Sequence, residues 1–136
     1  FVNFKTKVID DRPEFANRER FPEADDVVVI ESFKNAYQNL ETDEDSYIVI
    51  ITRGHMGDYE VLKQSLRRPN AYIGMIGSRN KVATVYSMLR EEGFSQEELD
   101  KVYSPIGVDI AAETPEEIAI SIAAEMIKVR DGRGER

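Results

Sequence analysis

Twice in this chain a short apolar run breaks abruptly into glycine, a hydroxyl residue and arginine just before a helical pattern begins. The two segments are Ile50-Ile51-Thr52-Arg53-Gly54-His55-Met56-Gly57-Asp58 and Tyr72-Ile73-Gly74-Met75-Ile76-Gly77-Ser78-Arg79-Asn80-Lys81. Strands that hand over to helices in this way belong to an open, mainly parallel α/β sheet, because parallel neighbours need a crossover connection that is usually a helix. Ligands of such sheets bind beyond the carboxyl ends of the strands, where a helix N-terminus is exposed. Both segments therefore point at one cleft.

The rest of the chain continues the alternation. Phe4 to Asp11 carries the apolar pair Val8-Ile9 and then Asp10-Asp11-Arg12-Pro13, where Pro13 stops regular pairing, so it reads as a short strand and a loop. Val27 to Ile30 reads as a buried strand, followed by a helix face of Phe33, Ala36, Tyr37 and Leu40. Tyr47 to Thr52 is rich in β-branched residues and apolar on both faces, as a central parallel strand should be. After it, Asp58 is expected to cap a helix bearing Val61, Leu62 and Leu66. Ala71 to Ile76 is the next strand, and Val82, Val85, Tyr86 and Leu89 recur at helical spacing up to Gly93. Ser95 to Glu98 and Thr114 to Glu117 are capping boxes, the second opening a long helix with Pro115 in its first turn. The helix face of Ala119, Ile122, Ala123, Met126 and Ile127 is expected on the sheet. Residues 1–129 read as one doubly wound, Rossmann-like α/β domain, and 130–136 as a charged, frayed tail.

Charge narrows the partners. With 18 basic against 26 acidic residues the net charge is −8, so the summed field repels nucleic-acid phosphates and anionic membrane surfaces. Neither nucleic acid nor membrane is an expected partner, and an anionic ligand must be held by local donors. The absence of cysteine excludes disulfides, thiolate zinc sites and a cysteine nucleophile, and the cytoplasm is the default location. No apolar stretch approaches the ~20 residues that span a bilayer, and the start lacks the charged-then-apolar design of a signal peptide.

One part of the expected fold is missing. In dinucleotide-binding sheets the first strand enters a Gly-x-Gly-x-x-Gly turn, and an acidic residue at the end of the second strand binds ribose hydroxyls. Asp10 fits the acidic position, yet nothing before it supplies the glycine turn, and the chain opens on Phe1 rather than Met. A sheet in the order 3-2-1-4-5 would then have a hole at its centre. The hole is expected to be filled by residues before Phe1 or by a partner chain, and a homodimer with exchanged strands is one such arrangement.

Four motifs in order resemble one family. They are Val8-Ile9-Asp10-Asp11-Arg12-Pro13-Glu14-Phe15 with Arg20-Phe21-Pro22; Thr52-Arg53-Gly54-His55 with Asp58; Tyr72 to Arg79 with Lys81; and Pro105-Ile106-Gly107 through Thr114-Pro115-Glu116-Glu117-Ile118-Ala119. From about Val8 to Ile127 the chain resembles the carboxyl-terminal Rossmann-like domain of the xanthine dehydrogenase accessory factors, the XdhC/CoxI family. The resemblance implies a protein that binds the molybdenum cofactor, a pyranopterin carrying a phosphate, and helps to mature and insert it into molybdenum hydroxylases such as xanthine dehydrogenase. That is the role of a carrier, with the apoenzyme as partner, and not of an enzyme. The sequence departs from the family in its missing glycine-rich turn, in the missing amino-terminal domain with its cysteine, and in Ala111, which stands where a glycine is usual.

The candidate binding residues are Asp10, Arg12, Thr52, Arg53, Gly54, His55, Gly74, Gly77, Ser78, Arg79, Lys81 and Asp109. Gly77-Ser78-Arg79 at a helix start offers backbone N–H groups, a hydroxyl and a guanidinium that suit a phosphate or carboxylate, and Gly74 would allow close approach. Arg53 would add charge from the neighbouring turn. His55 is the one histidine, set between Gly54 and Gly57 after a central strand, which favours ligand contact over a structural role. His55 and Asp58 alone do not make a metal site, and no bound metal is expected. Asp10 and Asp11 point to opposite faces of a strand and make a poor acid–base pair, so no catalytic residue is assigned. Glu113, Glu116 and Glu117 most simply stabilise a helix start. Asp109, in an ordered loop, is a candidate acceptor. The alternatives to a molybdopterin carrier are an NAD(P)-dependent oxidoreductase, with Asp10 on the ribose, and a regulatory nucleotide-sensing domain.

Overall fold

The computed structural model describes residues 4–132 apart from 15, 18, 21, 23, 38, 39 and 53. The apolar runs become four strands: β1 (Lys7–Asp10), β2 (Asp26–Val29), β3 (Tyr47–Ile50) and β4 (Tyr72–Met75). The helices are α1 (His55–Ser65), α2 (Arg79–Glu91), α3 (Gln96–Leu99) and α4 (Pro115–Gly132). Strands and helices divide between two compact units, Phe1–Glu41 and Thr42–Arg136.

In the first unit β1 and β2 run parallel, with Lys7 opposite Asp26 and Asp10 opposite Val29. Among the described residues the helix expected after β2 is replaced by a single 3₁₀ turn at Phe33–Asn35, with Ser32 accepting from the Lys34 N–H. Its bond runs three residues back, Ala36 N to Phe33 O at 3.3 Å, and further on Leu40 N donates to Tyr37 O at 3.2 Å. The apolar spacing covers too few residues to repay helix nucleation, and Ala36 and Tyr37 reach burial without it.

In the second unit β3 and β4 run parallel, Tyr47 opposite Tyr72 and Ile50 opposite Met75, and α1 is their crossover. β4 is buried along its whole length, and its other edge takes a parallel bridge from Tyr103 through Met75 N to Tyr103 O (3.1 Å) and Tyr103 N to Ile73 O (2.9 Å). Ile50, Leu62, Met75, Val85, Leu89 and Leu99 form the fully buried centre. Helix α2 starts at a serine cap, with Ser78 Oγ accepting from Lys81 N, and α3 at the expected Ser95–Glu98 capping box. Thr114 and Glu117 exchange the same pair of bonds at the start of α4.

Helix α4 is turned somewhat from the face its apolar spacing predicts. Ser121, Glu125 and Val129 are buried, Ile122, Ala123, Met126 and Ile127 are half-buried with Met126 packed against the Tyr72 cluster, and Ala119 is exposed. Polar contacts fix the rotation: Tyr72 Oη donates to Glu125 Oε1 at 2.6 Å, Gly107 N donates to the same oxygen at 2.9 Å, and Ser121 Oγ donates to Val108 O at 2.5 Å. A buried carboxylate needs such donors, so the helix turns toward them rather than toward its most apolar stripe. The Tyr72 ring lies between Tyr47 and Tyr103, with centroids 5.7 and 4.7 Å away. Residues 130–132, expected to fray, continue the helix, and 133–136 lie outside the described residues.

Among the described residues β3 is paired on one edge only, as is β1. Ile76 N donates to Ile50 O, and parallel strands alternate the edge their peptide groups face, so Tyr47, Val49 and Ile51 direct theirs away from β4.

Ala111 adopts φ 55, a left-handed conformation that glycine takes freely and alanine at a cost of roughly 1–2 kcal/mol. Its exposure means that no packing compensates. Ala111→Gly is expected to stabilise the domain by about 0.5–1 kcal/mol, after the added freedom of the unfolded chain is subtracted. Urea unfolding monitored by circular dichroism measures this, and an unchanged or lower midpoint would contradict it.

Candidate functional site

The second unit brings the two glycine-rich turns together through one buried side chain. Asp58 lies in the first turns of α1 and is fully buried. It does not cap the helix: Gly54 is the N-cap, and the Asp58 N–H is already spent on Gly54 O at 3.2 Å. Its carboxylate turns inward, where Oδ1 lies 2.7 Å from Thr52 Oγ1 and Oδ2 lies 2.5 Å from Lys81 Nζ. Thr52 has one hydroxyl proton and a second acceptor, Gly54 O, at 2.9 Å, so it serves one of the two at a time. The residue that ties the turns is thus one that sequence reasoning treated as a helix cap. Its signal was the combination of an acid on the inward face of α1 with a lysine three residues after the cap of α2.

Around this pair the predicted residues fall into place unequally. His55 is the first residue of α1 and is exposed, and Gly54 has nothing within 4 Å of the position a Cβ would take, so packing does not require a glycine there. Arg53 lies outside the described residues. On the second turn Gly77 has φ +155, and the Lys81 stem crosses it with Cδ 3.0 Å from where a Cβ would sit. Ser78 and Arg79 are exposed, and no hydrogen bond or ion pair engages the Arg79 guanidinium among the described residues.

Gly74 has a packing role that the sequence did not reveal. Ile106 Cδ1 and Tyr72 Oη come within 2.5 and 2.6 Å of the place of its missing Cβ, so the glycine admits Ile106 rather than facing an open cleft. Asp109 turns to its own backbone and accepts from Ala111 N at 3.3 Å, a local turn contact.

In the first unit Asp10 ends β1, as expected, with Arg12 fitted against it. Arg12 Nε lies 3.2 Å from Asp10 Oδ1, Nη2 lies 3.2 Å from Oδ2, and the Arg12 backbone N–H donates to Oδ1 at 3.1 Å. Asp11 Oδ1 is a further 3.9 Å neighbour of Nε. The acceptors that would meet ribose hydroxyls are already occupied by the chain's own guanidinium. One face of the β1–β2 ladder also carries a pocket lined by Ile9, Val28, Ile30, Ala36 and Leu40. Among the described residues no group of three or more His, Asp or Glu side chains gathers in a way that would hold a metal ion. None of their helices is long and apolar enough to cross a membrane.

Parallel strands, a helical crossover between β3 and β4, and helices with capped starts define a Rossmann-like α/β domain. The model of the XdhC Rossmann domain family matches residues 1–126, and the chain belongs to that family. It is 35% identical over 130 residues to an uncharacterized protein, YqeB, of Escherichia coli K12, covering 96% of this chain and 24% of that protein. It is 30% identical to a probable xanthine dehydrogenase subunit of Bacillus subtilis 168, covering 95% and 37%. Identity to the molybdenum cofactor insertion chaperone PaoD of E. coli K12 is 25%, over 70% of this chain and 30% of that one. The crystal structure of a xanthine dehydrogenase from Bacillus halodurans superposes with a TM-score of 0.80 at 33% identity, covering 96% of this chain and 36% of that one. The chain spans between about a quarter and a little over a third of these relatives.

The Asp10 carboxyl is pulled both ways. Partial burial raises its pKa, while the Arg12 side chain, Asp11, the Arg12 N–H and the Arg12 charge lower it, and the net effect is a value below the ordinary 3.8. A depressed folded-state pKa contributes stability above the unfolded value, which is lost as the pH falls through the folded one. Arg12→Ala is expected to return the Asp10 pKa to or above 3.8, followed by carboxyl ¹³C chemical shift during acid titration. A carboxyl that still titrates low without Arg12 would remove the guanidinium as the cause.

Proposed function

We propose that this domain belongs to an accessory protein that binds the molybdenum cofactor and helps to deliver it to a xanthine dehydrogenase-type molybdenum hydroxylase. The observation that carries this reading is the start of α2, where the Ser78 cap is followed by Arg79, whose guanidinium no hydrogen bond or ion pair engages among the described residues, and by Lys81, in a chain of net charge −8. Such a cluster suits the phosphate of a molybdopterin: helix-start N–H groups and a guanidinium are the donors that a phosphate takes. Family membership and the names of the xanthine dehydrogenase and PaoD relatives point the same way. The cofactor is then cargo, and the side chains are asked to bind and release it rather than to perform a reaction on it. Thr52, Gly54 and His55 flank the turn after β3 and would contact the body of the ligand. The cytoplasm is the place this reading gives the protein.

Asp10 at the end of β1 supports NAD(P) as the competing ligand, at the cost of displacing Arg12. Titration of the protein with molybdopterin cofactor, beside NAD as competitor, separates the two. Arg79→Ala and His55→Ala are each expected to weaken cofactor binding, the former by about tenfold or more, as loss of a charged hydrogen bond does. NAD binding without cofactor binding would transfer the assignment to a nucleotide-binding role.

That β3 pairs on one edge only among the described residues further supports a homodimer that exchanges strands, since an unprotected apolar edge pairs readily. Size-exclusion chromatography with light scattering decides this, and a species of 15.5 kDa at all concentrations would end the idea.

A further inference from the structure

Asp58 is the one fully buried acid among the described residues, and none of the ligand contacts above needs it. A buried ion pair is a poor way to gain stability, because removing both charges from water costs about as much as their attraction returns. What this pair does accomplish is geometric. Lys81 would otherwise reach into solvent on a flexible stem; here its Cδ and Cε lie 3.0 and 3.5 Å from the Cβ position of Gly77, and Nζ ends 2.5 Å from Asp58 Oδ2. Asp58 is in turn held from its other oxygen by Thr52. The contact is an ion pair: Oδ2 accepts no hydrogen bond among the described residues, so the three donors of the ammonium are not spent on it. The lysine side chain keeps 22% of its surface exposed and belongs to the first turn of α2, whose cap is Ser78.

We propose that Asp58 is a positioning residue for anion binding: it immobilises the Lys81 ammonium beside Gly77, so that its N–H groups and the first turn of α2 meet the same anionic group. This rests on the reading of that turn as the anion-binding end of the site. The two effects of Asp58 have opposite signs. As a bare negative charge close to an anion it weakens binding, and its removal would tighten the complex. As the anchor of Lys81 it lowers the ordering cost of binding, and its removal loosens the complex. A fully buried carboxylate paired at 2.5 Å has its field largely cancelled by its partner, so the anchoring effect dominates.

The test is titration of the full chain with inorganic phosphate, read from the amide ¹⁵N–¹H shifts of Ser78 and Arg79. Asp58→Asn is expected to weaken phosphate binding by about tenfold, the scale of lost preorganisation. Lys81→Met should weaken it at least as much, and the double variant no more than Lys81→Met alone, because one residue acts through the other. Unchanged or tighter binding by a folded Asp58→Asn, or effects that add in the double variant, would overturn the inference while leaving the anion site standing. No phosphate binding by the unaltered protein would sink that site and the inference together. Should Asp58→Asn not fold, the unaltered protein still answers: the Lys81 ammonium should give a slowly exchanging ¹⁵N signal that shifts on phosphate addition, and a signal averaged with those of solvent lysines would refute the anchoring.

Discussion

Parallel pairing of β3 with β4 sets the geometry on which everything else in the larger unit rests. Two strands running the same way must be joined by a crossover, and α1 is that crossover. With Ile50 opposite Met75 the two strands end level, so the turns that leave them emerge side by side and the helices that follow begin as neighbours. Only then can a carboxylate from α1 reach a lysine from α2. The charged cluster is thus a product of strand register, and a slip by one residue would send Ile50 and Met75 to the opposite faces and separate it.

The parts legible in the sequence are those governed by local chemistry. Strand identity followed from β-branched runs, the start of α2 from Ser78, that of α3 from Ser95 and Glu98, and that of α4 from Thr114 and Glu117, because each depends on residues within three or four positions. Two of the misreadings share a different cause, long-range partners. Spacing placed Ala119 on the buried face of α4, whereas Glu125 and Ser121 rotate the helix toward Tyr72, Gly107 and Val108. Gly74 read as room for a ligand, and Ile106, 32 positions away in the chain, fills it. The Phe33 to Leu40 spacing was genuine, but too short to carry a helix where one turn already buried Ala36 and Tyr37.

Electrostatics distribute the roles of the cations. In an acidic chain an exposed lysine or arginine usually finds a carboxylate nearby, and Arg12 and Lys81 have done so with Asp10 and Asp58. Their positive charge is therefore partly cancelled before a ligand arrives, and what they add is direction. Arg79 has no such partner among the described residues, and under the proposed function it would supply the attraction. A guanidinium and an anchored ammonium from the same helix start would then favour a ligand with a single compact anionic group over one with charge spread along its length.

The stack of Tyr47, Tyr72 and Tyr103 has a practical consequence for studying the molecule. The chain has no tryptophan and six tyrosines, so half of its strongest ultraviolet chromophores sit in one fixed stack. The Tyr72 phenol is also bonded to a buried carboxylate. Near-ultraviolet circular dichroism therefore reports mainly on the seam between β4, the Tyr103 bridge and α4. It is a native optical gauge of whether that seam is closed, with no label required.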